Sequence, residues 1–154
     1  METNTEKIVD KLNMLIQKNS DAEKGFEKAA EIATAKTLSD WFTTRALERR
    51  IFREELADEV HAFGFPCVRT PSIAGDLHRA WMDLKANFAT DSDEAMLEET
   101  MRGERAALDE YNDVFAELSL PPTTEDILKA HRRKIEQGLA ILRTLDDIKF
   151  QEES

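Results

Sequence analysis

The sequence predicts an all-α protein with four long antiparallel helices and a shorter fifth helix between the second and the third. Two observations carry this prediction. Apolar residues recur every three or four positions along most of the chain, and no run of alternating β-branched or aromatic residues indicates a strand. With only five Gly and four Pro, the chain is rich in helix formers, and 154 residues suit a single domain over 1–154.

The first two long helices are expected at about 6–35 and from about 37 to Gly64. Thr37, with Asp40 three residues later, resembles a capping box, and Gly64 marks the end of the second helix. The first helix buries a face made of Ile8, Leu12, Leu15, Ala22, Phe26, Ala29 and Ala33, with Asn19 in the same seam. The second buries Leu38, Trp41, Phe42, Phe52, Leu56, Val60 and Phe63.

The next segment contains Pro66 and Pro71, so it cannot be helical throughout. We expect a short crossover helix at 72–88 and two further long helices at 93–118 and 124–150. Their apolar faces comprise Ile73, Leu77, Trp81 and Leu84 in the crossover helix; Leu97, Met101, Leu108, Tyr111, Phe115 and Leu118 in the third long helix; and Ile127, Ile135, Leu142, Leu145 and Ile148 in the fourth.

The lengths of the connections predict how the helices are arranged. Short connections make the first and second helices antiparallel neighbours, and likewise the third and fourth. The connection between the second and third has about 28 residues, enough to return the chain to the opposite end of a bundle. This is the topology of ferritin-like folds, so we expect a ferritin-like four-helix bundle with a long crossover.

Four glutamates, one on each long helix, are predicted to fall at the same height inside such a bundle. Glu104 lies within the apolar seam of the third helix, and Glu48 lies where the stripe of the second helix loses its apolar residues. Glu23 lies at the edge of the first seam, and Glu136 is adjacent to a seam residue of the fourth helix. These four carboxylates are the candidate site.

One interpretation of the candidate site is a metal centre. Di-iron bundles take a Glu from each of two helices and a Glu-x-x-His from each of the other two. Here the matching spans read Glu48-Arg-Arg-Ile51 and Glu136-Gln-Gly-Leu139, with an aliphatic residue in place of each histidine. Without the imidazoles, iron binds weakly and oxygen ligands favour Mn²⁺, Mg²⁺ or Ca²⁺. The candidate ligands are the four glutamates, with Glu27 and His131 as alternates and Fe or Mn as the metal.

A network of salt bridges explains the same carboxylates without a metal, and the sequence favours it. Arg45, Arg49 and Arg50 of the second helix lie at the height of Glu23 and Glu27. Buried carboxylates are tolerated when they are paired and hydrogen-bonded. We therefore expect no metal, with these glutamates and Glu48 paired to Arg45 and its neighbours.

His131 lies in the seam of the fourth helix, near the predicted height of Tyr111. A Tyr–His or His–carboxylate hydrogen bond is expected there. His61 lies near the end of the second helix, away from the four glutamates, and Cys67, the only cysteine, is expected to be an incidental thiol. The sequence offers no nucleophile constellation and no Gly-rich phosphate loop, so we name no catalytic or cofactor-binding residue.

Charge and composition restrict the partners. A net charge of -11 repels phosphate backbones, so we expect no nucleic-acid partner. No apolar stretch approaches the roughly 20 residues of a membrane span, and the first residues do not resemble a signal peptide. With a single cysteine as well, a cytoplasmic location is expected. We expect a homo-oligomer, and the sequence does not identify a protein partner.

Two stretches, Gly75-Asp-Leu-His-Arg-Ala-Trp-Met-Asp-Leu-Lys85 and Asp21-Ala-Glu-Lys-Gly-Phe26, together with Arg102-Gly-Glu104 and Tyr111, carry a family resemblance. From about 7 to 148 the chain resembles a bacterial ferritin-like family catalogued as domain of unknown function 2383. The resemblance implies a ferritin-like bundle in a bacterial cytoplasm, without an established activity. Members of the family often carry a histidine at the position of Leu139 here.

Three functions remain open from the sequence. The first is a non-catalytic, oligomeric helical bundle with a carboxylate-rich interior. The second is a weak di-metal-binding or oxidase-type ferritin-like protein. The third is a protein-interaction module that uses the crossover helix, on which His78, Arg79 and Trp81 form a docking surface instead of packing over the bundle.

Overall fold

The computed structural model describes residues 2–67 and 92–153, and the side chains within 2–67 and 93–145. These residues form four helices and no strand, which confirms the all-α class for this part of the chain. The helices are α1 (Asn4–Ile32), α2 (Lys36–Ala62), α3 (Ser92–Glu117) and α4 (Pro122–Glu153). The crossover helix predicted at 72–88 lies outside the described residues.

The first residues of α1 and α2 differ in how the helix is capped. Thr3 accepts a hydrogen bond from the Glu6 amide at 3.1 Å, and the Glu6 side chain accepts one from the Thr3 amide, forming a capping box on α1. The capping box predicted at Thr37 is wrong: α2 begins at Lys36, so Thr37 already lies in its first turn, and the N-cap Ala35 has no side chain that can cap.

Gly64 ends α2 as predicted. Its φ of 86° is in the left-handed region that glycine adopts without steric cost. The amide of Gly64 donates to the carbonyl of His61 at 2.9 Å, and the amide of Phe65 donates to that of Val60 at 3.3 Å. These bonds satisfy carbonyl groups that the last helical turn leaves open.

Contacts between helices fix their directions. At one end of the bundle, Asp93 accepts hydrogen bonds from Thr34 and Ala35 in the turn between α1 and α2. At the other end, Lys11 forms an ion pair with Glu117 at 2.9 Å. Thus α3 runs antiparallel to α1, and parallel to α2. The chain leaves α2 at one end of the bundle and enters α3 at the other, as the long connection predicts.

Within the described residues the core has two apolar clusters, one toward each end of the bundle. The first contains Ile8, Leu12, Leu15, Phe52, Leu56, Val114, Leu128 and Ile135, and the second contains Phe26, Ala29, Leu38, Phe42, Met96, Leu97, Met101 and Leu142. Buried polar side chains lie at and beside the level where the two clusters meet; they include Asn19, Glu23, Arg49 and Glu104 between the clusters and His131 within the first. We call this set the polar layer. No helix of the described part of the chain is both long and apolar enough for a membrane span.

Candidate functional site

The centre of the polar layer is an ion pair between α2 and α3. Arg49 is 2% exposed and Glu104 is 4% exposed. The Nη2 atom of Arg49 donates to both carboxylate oxygens of Glu104, at 2.6 and 2.7 Å. The guanidinium carbon lies 5.6 Å from the ring centre of Phe26 and 5.7 Å from that of Phe52. The arginine is therefore held between aromatic rings while its charge is directed at the carboxylate.

Arg49 occupies the buried position of α2 at which Glu48 was expected from the sequence. It lies seven residues from Phe42 and seven from Leu56, so it shares their buried stripe. We expected Glu48 to face the interior where the stripe lacks apolar residues, but Arg49 is the more deeply buried of the two. Helical spacing alone was the signal that could have identified it.

Two opposing effects act on Glu104. Burial raises the pKa of the Glu104 carboxyl, because the charged form loses its hydration. The Arg49 guanidinium acts in the opposite direction, by its charge and by its hydrogen bonds. The net pKa is above the ordinary value of a glutamate, so this buried carboxylate depends on its arginine to remain charged.

Glu23 and Glu48 are also paired with arginines of α2. Glu23 is buried and accepts from Arg50 Nε at 3.1 Å and from Arg53 Nη2 at 3.0 Å. Glu48 is half-buried and accepts from Arg45 Nη1 at 3.1 Å. The structure therefore contains the pairing with Arg45 that the sequence predicted for Glu48, while Glu23 uses the two arginines further along α2.

Glu136 does not join this group, so its predicted inward orientation is wrong. Its side chain is 56% exposed and lies 3.9 Å from Arg132, one turn earlier on α4. At this height α4 turns Gly138 inward, where an added Cβ would lie 3.9 Å from Glu104 Oε2. Since successive helical residues are about 100° apart, Glu136 lies on the opposite side of α4.

Glu27, the alternate carboxylate, is exposed as well. Its neighbour Phe26 takes the inward position on α1, and the helical period leaves Glu27 outside. The expected pairing of Glu27 within the interior network is therefore wrong.

These residues do not fit a di-metal centre. Within 2–67 and 92–153, no three His, Cys, Asp or Glu residues are grouped so that they could hold a metal ion. Ile51 is exposed and Leu139 is buried in the apolar core, so the places of the two histidine ligands hold aliphatic side chains. A positively charged guanidinium contacts both oxygens of Glu104, the most deeply buried carboxylate of the set.

A second polar group crosses the bundle beside the ion pair. Asn19 Nδ2 donates to the Leu15 carbonyl at 2.8 Å and to Tyr111 Oη at 3.0 Å. Tyr111 Oη lies 2.9 Å from His131 Nδ1, and His131 Nε2 lies 3.2 Å from Glu55 Oε1. Both the Tyr–His and the His–carboxylate hydrogen bonds expected from the sequence are present. We call Asn19, Tyr111 and His131 the neutral chain, and the exposed Glu55 is its terminal acceptor.

The chemistry of the groups fixes the direction of every proton in the neutral chain. The Leu15 carbonyl can only accept, so the amide nitrogen of Asn19 faces it and also donates to Tyr111. The Glu55 carboxylate can only accept, so the proton of the neutral His131 ring resides on Nε2. Its Nδ1 is then an acceptor, and Tyr111 donates its own proton to it. One tautomer of His131 is compatible with all of these bonds.

Burial keeps this chain neutral. Burial lowers the pKa of His131 to about 3, and the nearby charges of Arg49 and Lys134 act in the same direction. Burial also raises the pKa of the Tyr111 hydroxyl well above its ordinary value. His131 stacks on Phe52 with ring centres 4.0 Å apart, so its ring is packed as an apolar group. These effects make His131 a core residue and a poor proton acceptor near neutral pH.

Comparison with known proteins identifies a family. A family model described as a domain of unknown function (2383) matches residues 7–117. That span holds all but the first residues of α1, and the whole of α2 and α3, and therefore both members of the central ion pair. No curated protein matches the sequence.

Proposed function

Since the chain belongs to the family described as domain of unknown function 2383, we propose that it is a metal-independent, non-catalytic ferritin-like bundle. In this proposal an internal arginine takes the place that a cation holds in metal-binding bundles. The observation that carries the proposal is the contact of Arg49 Nη2 with both oxygens of Glu104, at 2.6 and 2.7 Å.

The charges around the polar layer support the proposal. Four arginines of α2 face three glutamates, in the pairs Arg49 with Glu104, Arg50 and Arg53 with Glu23, and Arg45 with Glu48. The group therefore has an excess of positive charge, which opposes the entry of a divalent cation. Hard cations also need about six oxygen ligands, and each of these carboxylates already has an arginine partner.

The proposal includes self-association. Ile141 is an exposed apolar side chain on α4. Leu47 and Ile51 are each 51% exposed and lie one turn apart on α2, so they are adjacent on its surface. Exposed apolar side chains that adjoin one another are typical of contacts between proteins. A homo-oligomer would cover these side chains and give the bundle the role of a structural or assembly unit.

Metal analysis combined with thermal unfolding tests the proposal. Protein purified after growth with added iron or manganese should hold far less than one metal ion per chain. Its Tm should be the same with and without a chelator. A cation at a concentration 100 times its Kd would stabilise the folded state by about 2.7 kcal/mol, which corresponds to several degrees in Tm.

The same experiment addresses the alternative of a metal-binding or oxidase-type protein that uses Glu23, Glu48, Glu104 and Glu136. One metal ion per chain, lost in Glu104→Ala and kept in the matched surface variant Glu27→Ala, would overturn the metal-independent proposal. The interaction module stays a separate prediction, because His78, Arg79 and Trp81 lie outside the described residues. Loss of a partner in pull-down experiments with Trp81→Ala and Arg79→Ala would support it.

A further inference from the structure

A cleft of about 320 Å³ lies between α1 and α3, beside the central ion pair. Small side chains make much of its wall, including Ala22 on α1 and Gly103, Ala106 and Ala107 on α3. An engineered cavity of about 150 Å³ binds benzene, so this volume suits a molecule of about two fused rings.

The side chain of Asn19 has a buried polar atom at the cleft that lacks a partner within the described part of the chain. Asn19 lines the cleft and is 1% exposed, and both hydrogens of its amide nitrogen are used, for Leu15 and Tyr111. Its Oδ1 atom has no hydrogen-bond partner among the described residues. Rotating the amide would not help, because the Leu15 carbonyl requires a donor. Leaving a buried acceptor unsatisfied destabilises the folded state, so such an atom calls for an explanation.

Several other polar groups that line the cleft already use donors within the protein. Tyr111 donates to His131, Arg49 donates to Glu104, and the Thr100 hydroxyl donates to the Met96 carbonyl. The two hydroxyl groups therefore offer acceptor capacity at the cleft, as Oδ1 of Asn19 does. A molecule that brings a hydroxyl or N–H donor matches these acceptors.

The charge of the lining restricts the ligand further. Among the described residues, six charged ones line the cleft, and four of them are acidic: Lys18, Asp21, Arg49, Glu99, Glu104 and Glu110. Lys18 and Glu110 approach each other across the cleft from α1 and α3, at 3.4 Å. An anionic ligand would meet this excess of negative charge, and a cationic one would lose its hydration among alanines and glycine.

We propose that this cleft binds an uncharged, mostly apolar small molecule of about two fused rings, whose hydroxyl or N–H donates to Oδ1 of Asn19. This inference goes beyond the metal-independent bundle and does not depend on it, because the proposed contact is made by Asn19, which is not among the candidate metal ligands. The bound molecule would fill the cleft and donate a hydrogen bond to the unpartnered Oδ1 atom of Asn19.

Binding of two matched probes tests the proposal by titration calorimetry. The probe 1-naphthol has a ring system of the proposed size and one hydroxyl donor, and naphthalene is the same ring system without it. The wild-type protein should bind 1-naphthol at least about tenfold more tightly than naphthalene, which is the effect of one net hydrogen bond.

Two variants assign the binding to the cleft. Asn19→Leu removes the acceptor and keeps the volume, so the preference for 1-naphthol should disappear while both probes still bind. Gly103→Leu should block both probes, because a Cβ at this position meets nothing within 4 Å and the added side chain has room to enter the cleft. Ala130→Leu on the exposed surface of α4 is the matched control and should bind like the wild type.

Circular dichroism and Tm establish that each variant is folded. Should Asn19→Leu fail to fold, the two-probe preference of the wild type and its loss in Gly103→Leu decide the question. The proposal is overturned if 1-naphthol shows no saturable binding, if the wild type binds both probes equally, or if Gly103→Leu binds them like the wild type. A preference that persists in folded Asn19→Leu also overturns it.

Discussion

The polar layer holds two buried sites that connect helices by different means. The Arg49–Glu104 pair uses two full charges in contact, both at least nine-tenths buried. The neutral chain uses directional hydrogen bonds from Asn19 through Tyr111 and His131 to Glu55, whose side chain is 47% exposed. The difference teaches that a buried charge needs its counter-charge, whereas a buried histidine persists by staying uncharged.

The largest expected effect comes from breaking the ion pair on one side only. Arg49→Met should lower the free energy of unfolding by about 3–5 kcal/mol, because Glu104 is left charged or must take up a proton in the core. The double variant Arg49→Met with Glu104→Leu should regain most of this loss, since neither charge is then buried alone. Urea unfolding of both single variants and the double variant measures the coupling. Losses that simply add in the double variant would contradict the described pairing.

The neutral chain should make the free energy of unfolding depend on pH. The pKa of His131 in the folded protein, about 3, lies below the ordinary value of 6.5, so the unfolded chain binds more protons between these values. The free energy of unfolding should therefore fall as the pH drops below 6.5, by about 2 kcal/mol from this residue at pH 5.

Glu104 changes the free energy of unfolding with pH in the opposite direction, because its pKa is raised in the folded protein. The contribution of His131 is therefore obtained as the difference between the pH profiles of the wild type and of a variant that lacks this histidine. The variant His131→Leu should lose the decrease assigned to histidine while it keeps the contribution of Glu104. Identical pH profiles of the free energy of unfolding for the wild type and His131→Leu would show that His131 is not held in its neutral form.

A smaller loss is expected when the neutral chain is cut at its middle. Tyr111→Phe removes the hydroxyl that accepts from Asn19 and donates to His131, and it keeps the ring in the core. We expect a loss of about 1–3 kcal/mol, which is the cost of leaving buried polar groups unpaired. Denaturant unfolding at neutral pH measures it. A loss as large as that of Arg49→Met would remove the distinction between charged and neutral sites.

The smallest effect is expected outside the layer. Glu136→Ala should change the free energy of unfolding by no more than about 0.5 kcal/mol, because the side chain is exposed and 3.9 Å from its nearest cation. Glu104→Ala is the comparison, and its effect should be several times larger. Equal losses in the two variants would indicate that Glu136 also faces the interior.

The sequence predicted the positions of the helices well because their apolar stripes are long. The predicted boundaries of all four lie within about three residues of those observed, and Asn19, Glu104, Tyr111 and His131 are all in the buried seams as expected. These residues are flanked on both sides by apolar residues at helical spacing. That spacing leaves little freedom for their orientation.

The same pattern was ambiguous where two adjacent residues compete for one inward position. Arg49 is more deeply buried than Glu48, Leu128 is more buried than Ile127, and Ile135 is buried whereas the adjacent Glu136 is exposed. A shift of one residue changes the direction by about 100°, and periodicity does not distinguish these neighbours. The unpartnered oxygen of Asn19 could not be predicted either, because it depends on three-dimensional contacts.

The carboxylate at the start of α3 has a consequence for how the two halves of the protein assemble. Asp93 accepts from the Thr34 amide at 2.9 Å, from its hydroxyl at 2.8 Å and from the Ala35 amide at 3.1 Å. Those two amides are therefore protected by a residue nearly sixty positions away, and their hydrogen-exchange rates report local opening between the hairpin α1–α2 and α3. Faster exchange of these two amide hydrogens would show that α3 has separated from the turn between α1 and α2, since without Asp93 both amides would be open to water.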